Sequence, residues 1–159
     1  MLLAACYGKL ERVSEKLDGM NVVFTVSADG LRIARNKGNI VGGGLDRDEL
    51  AAKFAGRGVI LDAFVAAFDV LEQIVRMMPR SSIEECFSGG RRWFSAEVVY
   101  SPFVNVIAYD NSAIIVHDTP VFELNDDGIE RLQSSKFSSI ISKYAKRADV
   151  NGWRTGGAA

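Results

Sequence analysis

The chain has 159 residues, of which 48% are hydrophobic and 25% are charged. These values are typical of a single globular domain with a substantial core, and they exclude a disordered chain. The formal net charge of −1 excludes a broad basic surface, so a nucleic-acid partner would need a local patch. Cys6 and Cys86 make no disulfide framework, which predicts a reducing, cytoplasmic compartment.

The first third of the sequence predicts strands. We expect a strand from Arg12 to Val26 that breaks at Asp18-Gly19, followed by a hairpin with the two-residue turn Asp29-Gly30. Pairing across that turn places four side chains on one face of the hairpin: Phe24, Val26, Ile33 and Arg35. The following segment, NKGNIVGGG, predicts a glycine-rich loop.

The middle of the chain predicts helices. Asp46 or Asp48 can cap a helix that runs to about Phe54, and a second helix is expected over residues 59–78. Four charged side chains interrupt the apolar run of the second helix, so we expect it to be buried in a protein core and not to span a membrane. Ser82 and Glu85 have the spacing of a capping box for a short third helix.

Strand patterns return in the segments 92–100, 105–110 and 112–118, with turns at 101–102 and 110–111. Residues 126–147 carry apolar side chains at helical spacing. The order of strands, helices, strands and helix predicts an α+β fold with mainly antiparallel sheets.

We therefore predict a single domain over residues 1–150. Its expected parts are strands in 1–44, a helical segment in 45–90, strands in 91–124 and a helix in 125–150. The tail, 151–159, is predicted to be disordered.

The stretch EKLDGMNV contains Lys16, Asp18 and Gly19 in the order K-x-D-G. From average residue usage, this pattern occurs by chance in a chain of this length with a probability of roughly 3%. A plain turn at Asp18-Gly19 beside an exposed Lys16 is therefore a real alternative to a catalytic lysine.

Three further segments follow in order, ARNKG, FSAEVVY and AIIVHD. Together with K-x-D-G they resemble the covalent nucleotidyltransferase superfamily, which comprises ATP-dependent DNA ligases, RNA ligases and mRNA capping enzymes. Glu15 before the lysine and Asn21 after the glycine are most similar to the RNA ligases that seal nicks in duplex RNA. The arrangement is also similar to phage proteins related to those ligases, which would place the chain in the host-cell cytoplasm.

The resemblance implies that Lys16 attacks the α-phosphorus of ATP and becomes lysyl-AMP as pyrophosphate leaves. Asp18 and Gly19 complete the turn that presents the amine. A free lysine is protonated at neutral pH, so such a site must lower the pKa of the amine by desolvation or by nearby positive charge, including Mg²⁺.

The resemblance also implies roles around the nucleotide. Glu15 matches a position that contacts the adenine, and Asn21 matches a polar position near the α-phosphate. Arg35 matches an arginine that reaches the nucleotide or the terminal phosphate of the nucleic acid. Glu97 matches a carboxylate that acts on the ribose or through a divalent ion, and His117 falls where an aromatic ring usually stacks on the adenine.

Each of these residues has a structural alternative. Arg35 is a charge on an otherwise apolar hairpin face, which favours an anion ligand over a solvated side chain. Glu97 could be an ordinary solvent-facing strand residue, and His117 a hydrogen-bonded residue of the core or a sheet edge. Simple alternation places Asn21 on the opposite face from Arg35, so both would line one pocket only if the strand bends or bulges near Gly19.

The sequence departs from the family pattern after His117. It contains neither the Glu-Gly pair nor the Lys-x-Lys that normally follow, and Ala96 stands where glycine is usual. The late lysines normally neutralise the triphosphate. The resemblance covers about residues 12–118, and it predicts that these 159 residues alone form little or no lysyl-AMP.

Several interpretations remain open from the sequence. The chain could be a fragment of a longer ligase-like protein, which we expect, or a small protein that keeps the nucleotide pocket without the full chemistry. RNA or nicked nucleic acid is the expected partner, and its binding is expected to need the segments of the family pattern that this sequence lacks. A GTP-dependent capping-type guanylyltransferase and a non-catalytic nucleotide-binding or scaffold domain are the alternatives.

Overall fold

A computed structural model describes residues 19–100, 112–133, 136–148 and 153–157. The expected strand before Gly19 and the elements expected over 101–111 lie outside these residues. So do three of the candidate site residues, Glu15, Lys16 and Asp18.

One mixed sheet organises the described residues. Its strands are β1 (Met20–Ser27), β2 (Gly30–Ala34), β3 (Arg92–Val99), β4 (Ser112–Asn125), β5 (Gly128–Leu132) and β6 (Trp153–Gly157). Five strands are antiparallel neighbours in the order β2-β1-β3-β4-β5, and β6 pairs with β4 in parallel. Strand β5 pairs with the last part of β4 and β6 with its first part.

The helices are α1 (Lys37–Val41), α2 (Arg47–Lys53), α3 (Val59–Met77), α4 (Arg80–Phe87) and α5 (Lys136–Ala145). The long helix α3 buries residues at the period of 3.6 that one packed stripe requires: Ala63, Phe64, Ala67, Phe68, Val70, Leu71 and Ile74. None of the described helices combines the length and the apolarity needed to cross a bilayer.

The main core lies between α2–α5 and one face of the sheet. On this helix-packed face, Phe24 of β1 lies 6.1 Å from Phe94 of β3 and 6.1 Å from Phe87 of α4, measured between ring centroids. All three rings are at most 1% exposed, and each contributes roughly 1.5–3 kcal/mol by burial. A smaller cluster on the second face of the sheet holds Val23 and Trp93 beneath Ile40 of α1.

The predicted α+β class is confirmed, as are the helix over residues 59–78 and the strand over 92–100. Asp46, one of the two proposed caps, forms a capping box with Glu49. Phe24, Val26, Ile33 and Arg35 do share a face, but the hairpin turn is Ala28-Asp29, one residue earlier than predicted. The Ser27 hydroxyl explains the shift, since it accepts the N–H of Asp29 at 3.2 Å.

Four further predictions about local structure are wrong. The helix predicted from residue 126 begins only at Lys136, because residues 126–127 form a hairpin turn that pairs Leu124 with Ile129. The tail is not wholly irregular, since 153–157 adds a strand beside β4. Ser82 lies inside α4, which has no side-chain cap. The glycine-rich loop contains α1, capped by the Asn36 side chain.

Candidate functional site

The second face of the sheet collects three of the side chains that the sequence singles out. In the β1–β3 pair, Asn21 lies directly opposite Glu97, and in the β3–β4 pair Glu97 lies opposite Ile115. His117 follows two positions later on the same face. These side chains point away from the face that packs against α3, because Val22 and Ala96, their neighbours in sequence, are buried in the main core.

Glu97 connects the other members of this group. Its Oε1 accepts the backbone N–H of Gly19 at 2.9 Å, and its Oε2 lies 3.6 Å from Nε2 of His117. The side chains of Glu97 and His117 are 14% and 31% exposed. A carboxylate offers about four lone-pair sites, so Glu97 retains acceptor capacity for a hydroxyl group of a ligand.

Gly19 must be a glycine because β3 lies too close to it. A Cβ at this position would lie 2.6 Å from the carbonyl oxygen of Val98 and 3.0 Å from both Cγ and Oε1 of Glu97. The last residue of K-x-D-G therefore has a steric reason to lack a side chain, in addition to any role in a turn. The same closeness gives the Glu97 carboxylate its main-chain hydrogen bond.

His117 begins an irregularity in β4. Val116 pairs with Ala96 and Val121 with Phe94, so residues 117–120 of β4 lie opposite the single residue Ser95. Pro120, which has no N–H to donate, lies within this bulge. Bulges change the direction of side chains and are frequent beside active sites.

Ser95 belongs to this group although the sequence analysis did not single it out. Its hydroxyl donates to Oδ1 of Asn21 at 3.1 Å, which fixes the direction of the Asn21 amide. Ser95 is 4% exposed. The signal was present in the alternation of the strand, since Ser95 lies two positions before Glu97 and hence on the same face.

Arg35 lies on the helix-packed face. Its guanidinium carbon is 4.9 Å from the centroid of the Phe64 ring, and Nη1 donates to the carbonyl oxygen of Asn21 at 2.8 Å. Arg35 and Glu97 therefore flank the same β1 segment from opposite sides of the sheet. The alternation that separates Asn21 from Arg35 holds, because the β1–β3 register is continuous from Met20 to Phe24.

The chemistry of the second face fits a nucleoside better than it fits a bare metal ion. An imidazole ring can stack on a base, and a carboxylate can accept from ribose hydroxyls. No group of three or more His, Cys, Asp or Glu residues that could hold a metal ion occurs in the described part of the chain. Mg²⁺ commonly binds through one or two carboxylates plus substrate phosphates, and Glu97 is placed to supply one of them.

No protein-family model, no curated protein and no solved structure matches the chain. The geometry of the second face is therefore the basis for any functional assignment.

Two grooves lie elsewhere. One, between α2 and α3, is lined by Arg47, Asp62, Asp69 and Tyr100 among others. There the bidentate contact with Asp69, at 2.8 and 3.1 Å, raises the pKa of Arg47. The other lies between the β1–β2 turn and α4. Neither groove includes Gly19, Asn21, Glu97 or His117.

Proposed function

We propose that the chain is the N-terminal part of an ATP-dependent polynucleotide ligase-like adenylyltransferase that acts on RNA. Lys16 is the residue that becomes lysyl-AMP, with Glu15 and Asp18 beside it. Gly19, Asn21, Glu97 and His117 form the nucleotide-binding face. ATP is the nucleotide and Mg²⁺ its counter-ion.

One observation supports this proposal most: Glu97 bonds to Gly19 and lies beside His117. These three residues belong to motifs that are far apart in the sequence, and the motifs were identified from the sequence alone. A chance K-x-D-G would not require its glycine to meet the carboxylate of the third motif. Lys16 is three positions before Gly19 in the sequence, so the proposed nucleophile is close along the chain to the residue that Glu97 binds.

The described residues suggest a division of roles. The His117 ring would stack on the adenine, and the Glu97 carboxylate would accept from the ribose or hold Mg²⁺ through water. The Asn21 amide, oriented by Ser95, would donate to the α-phosphate. Arg35, on the other side of β1, would face the nucleic acid rather than the nucleoside.

The proposal is tested with radiolabelled ATP or GTP and Mg²⁺, followed by denaturing electrophoresis and peptide mapping. In a longer protein that contains the late lysines, we expect label from ATP on Lys16 and none in Lys16→Ala. In these 159 residues we expect weak label at most, because the cations that neutralise the triphosphate are missing.

Three outcomes would redirect the proposal. Label from GTP alone would favour a capping-type guanylyltransferase. No adduct in the longer protein, combined with ATP binding, would favour a non-catalytic nucleotide-binding domain. No adduct and no binding would contradict the proposal altogether.

A further inference from the structure

Four exposed cations lie at the ends of β2 and of the helices α1–α3. This basic edge consists of Arg35, Lys37, Lys53 and Arg57. Within the described residues, none of the four has a carboxylate within the 4.0 Å of an ion pair. Elsewhere in the described residues, Arg32, Arg47, Arg76, Arg80 and Arg92 are each paired with an Asp or Glu, whereas other exposed cations, such as Arg131 and Lys146, are not.

Aromatic rings hold the two arginines of the basic edge in a row. The guanidinium of Arg35 lies 4.9 Å from the Phe64 ring, the Phe64 and Phe54 rings are 4.6 Å apart, and the guanidinium of Arg57 lies 5.5 Å from the Phe54 ring. These three steps place the two guanidinium carbons no more than about 15 Å apart. Contacts of this type restrain a guanidinium while leaving its charge available.

Lys53 is tied to the same row by an asparagine. Oδ1 of Asn39 accepts from Nζ of Lys53 and from the backbone N–H of Arg35, both at 3.3 Å. The lysine charge is therefore within about 6.6 Å of the Arg35 backbone nitrogen. Lys37 is two residues from Arg35 and begins α1.

The nearby acidic side chains do not neutralise this edge. Glu49 is engaged by Arg32 and by the backbone N–H of Asp46. Asp62 lines the groove that also contains Asp69, and its position in α3 is about 200° around the helix axis from Phe64. No carboxylate of the described residues lies within 4.0 Å of the four cations, so the basic edge carries four charges without an ion-pair partner.

We propose that the basic edge binds the sugar-phosphate backbone of the nucleic acid on the other side of β1 from the nucleotide face. The choice of nucleic acid over other polyanions rests on the proposed function. A row of at most about 15 Å corresponds to no more than about four nucleotides of one strand at roughly 3.4 Å per nucleotide along the axis.

The position of the edge suits a substrate strand. Arg35 donates to the carbonyl oxygen of Asn21, and the Asn21 side chain lies on the second face with Glu97. Arg35, the first residue of the basic edge, thus contacts the main chain of Asn21, a residue of the nucleotide face. Phe54 and Phe64 are 7% and 1% exposed, so they cannot stack on bases, and the contacts are to phosphates without sequence preference.

The test measures binding of a fluorescently labelled, nicked RNA duplex by anisotropy, without ATP, across a series of salt concentrations. The variant is Lys53→Gln/Arg57→Gln. Its matched control is Arg76→Gln/Arg80→Gln, which removes the same charge from exposed side chains at and just beyond the far end of α3, a helix about 28 Å long. Circular dichroism verifies that both variants fold.

We expect the Lys53/Arg57 variant to bind about tenfold more weakly at low salt, with a salt-dependence slope lower by roughly two. The control should stay within about twofold of the wild type. Equal loss in both variants, or no RNA binding by the wild type, would overturn the proposal. So would binding to anionic lipid vesicles in place of RNA. Because Lys16 labelling is measured separately, this surface and the proposed function can fail independently.

Discussion

The carboxylate of Glu97 accepts the backbone N–H of Gly19 at 2.9 Å, across 78 positions of sequence. This bond joins the end of the K-x-D-G stretch to Glu97 in the segment FSAEVVY. The same side chain lies 3.6 Å from His117. Glu97 therefore has two possible roles: to hold β1 beside β3 through Gly19, and to bind a ligand beside His117. Substitution of Glu97 can distinguish them.

Glu97→Gln should weaken ATP binding while the fold persists. The amide keeps one oxygen that can accept from Gly19, but it loses the charge and one acceptor available to the ribose or to Mg²⁺. We expect about a tenfold loss of ATP affinity, equivalent to about 1.4 kcal/mol, measured by equilibrium dialysis. Glu84→Gln, at an exposed pair in α4, is the control and should bind like the wild type. Equal affinities for all three proteins would contradict the role of Glu97.

Gly19→Ala should destabilise the fold by about 1–3 kcal/mol, because the new methyl group would meet the Val98 carbonyl oxygen and the Glu97 side chain. Chemical denaturation measures the change. Gly42→Ala is the matched control, since a Cβ at that position would have its nearest neighbour at 3.4 Å, an ordinary contact distance. Similar small effects in both variants would show that β1 and β3 can separate at Gly19.

Arg92→Met should destabilise the protein by about 2–4 kcal/mol. Its Nη1 donates to the carbonyl oxygens of Glu85 and Cys86, the last turn of α4, at 2.7 and 3.0 Å. Its Nε lies 3.2 Å from Glu123, and the arginine side chain is only 14% exposed. Removal would leave all three acceptors without this donor.

Thermal denaturation compares Arg92→Met with Arg80→Met, whose arginine side chain is 92% exposed in its pair with Glu84. We expect the control to change stability by less than about 0.5 kcal/mol. A control as damaging as Arg92→Met would mean that surface charge, and not the bonds to α4, explains the effect.

The buried thiol of Cys86 makes the free energy of unfolding decrease at alkaline pH. The thiol is 0% exposed, and desolvation raises its pKa from 9.0 to about 11. The folded state therefore keeps the proton that the unfolded state loses above pH 9. The resulting stability is fully present below pH 9 and is lost as the pH rises through 11, by on the order of 2–3 kcal/mol.

Cys86→Ala removes this contribution, while Cys6 remains in both proteins. Urea denaturation at several pH values between 8 and 11 should show a steeper loss of unfolding free energy in the wild type than in the variant. Parallel curves would mean that the Cys86 thiolate is not excluded from the folded core.

The sequence predicted those elements whose signals are local. The stripe of α3 and the capping box at Asp46 depend on residues within a few positions of each other. Strand β5 was missed because Ile129 and Leu132 also fit helical spacing, and its pairing with Leu124 depends on the β4 edge. Strand β6 was missed because a parallel partner distant in sequence leaves no local signal.

The candidate site was predictable in part for the same reason. Alternation along β3 places Ser95 and Glu97 on one face, and it separates Asn21 from Arg35. The bulge that begins at His117 could not be read from the sequence, since it depends on the change of register between β3 and β4. That change determines how the imidazole and the Glu97 carboxylate meet.

The central claim, that the second face binds a nucleotide, is tested most directly by NMR of the ¹⁵N-labelled chain titrated with ATP and Mg²⁺. We expect saturable shifts of the Gly19 amide, the Asn21 side-chain amide and the His117 ring. Resonances of Arg47 and Asp69 in the distant groove should stay fixed. A titration that leaves Gly19 and His117 unmoved would contradict it.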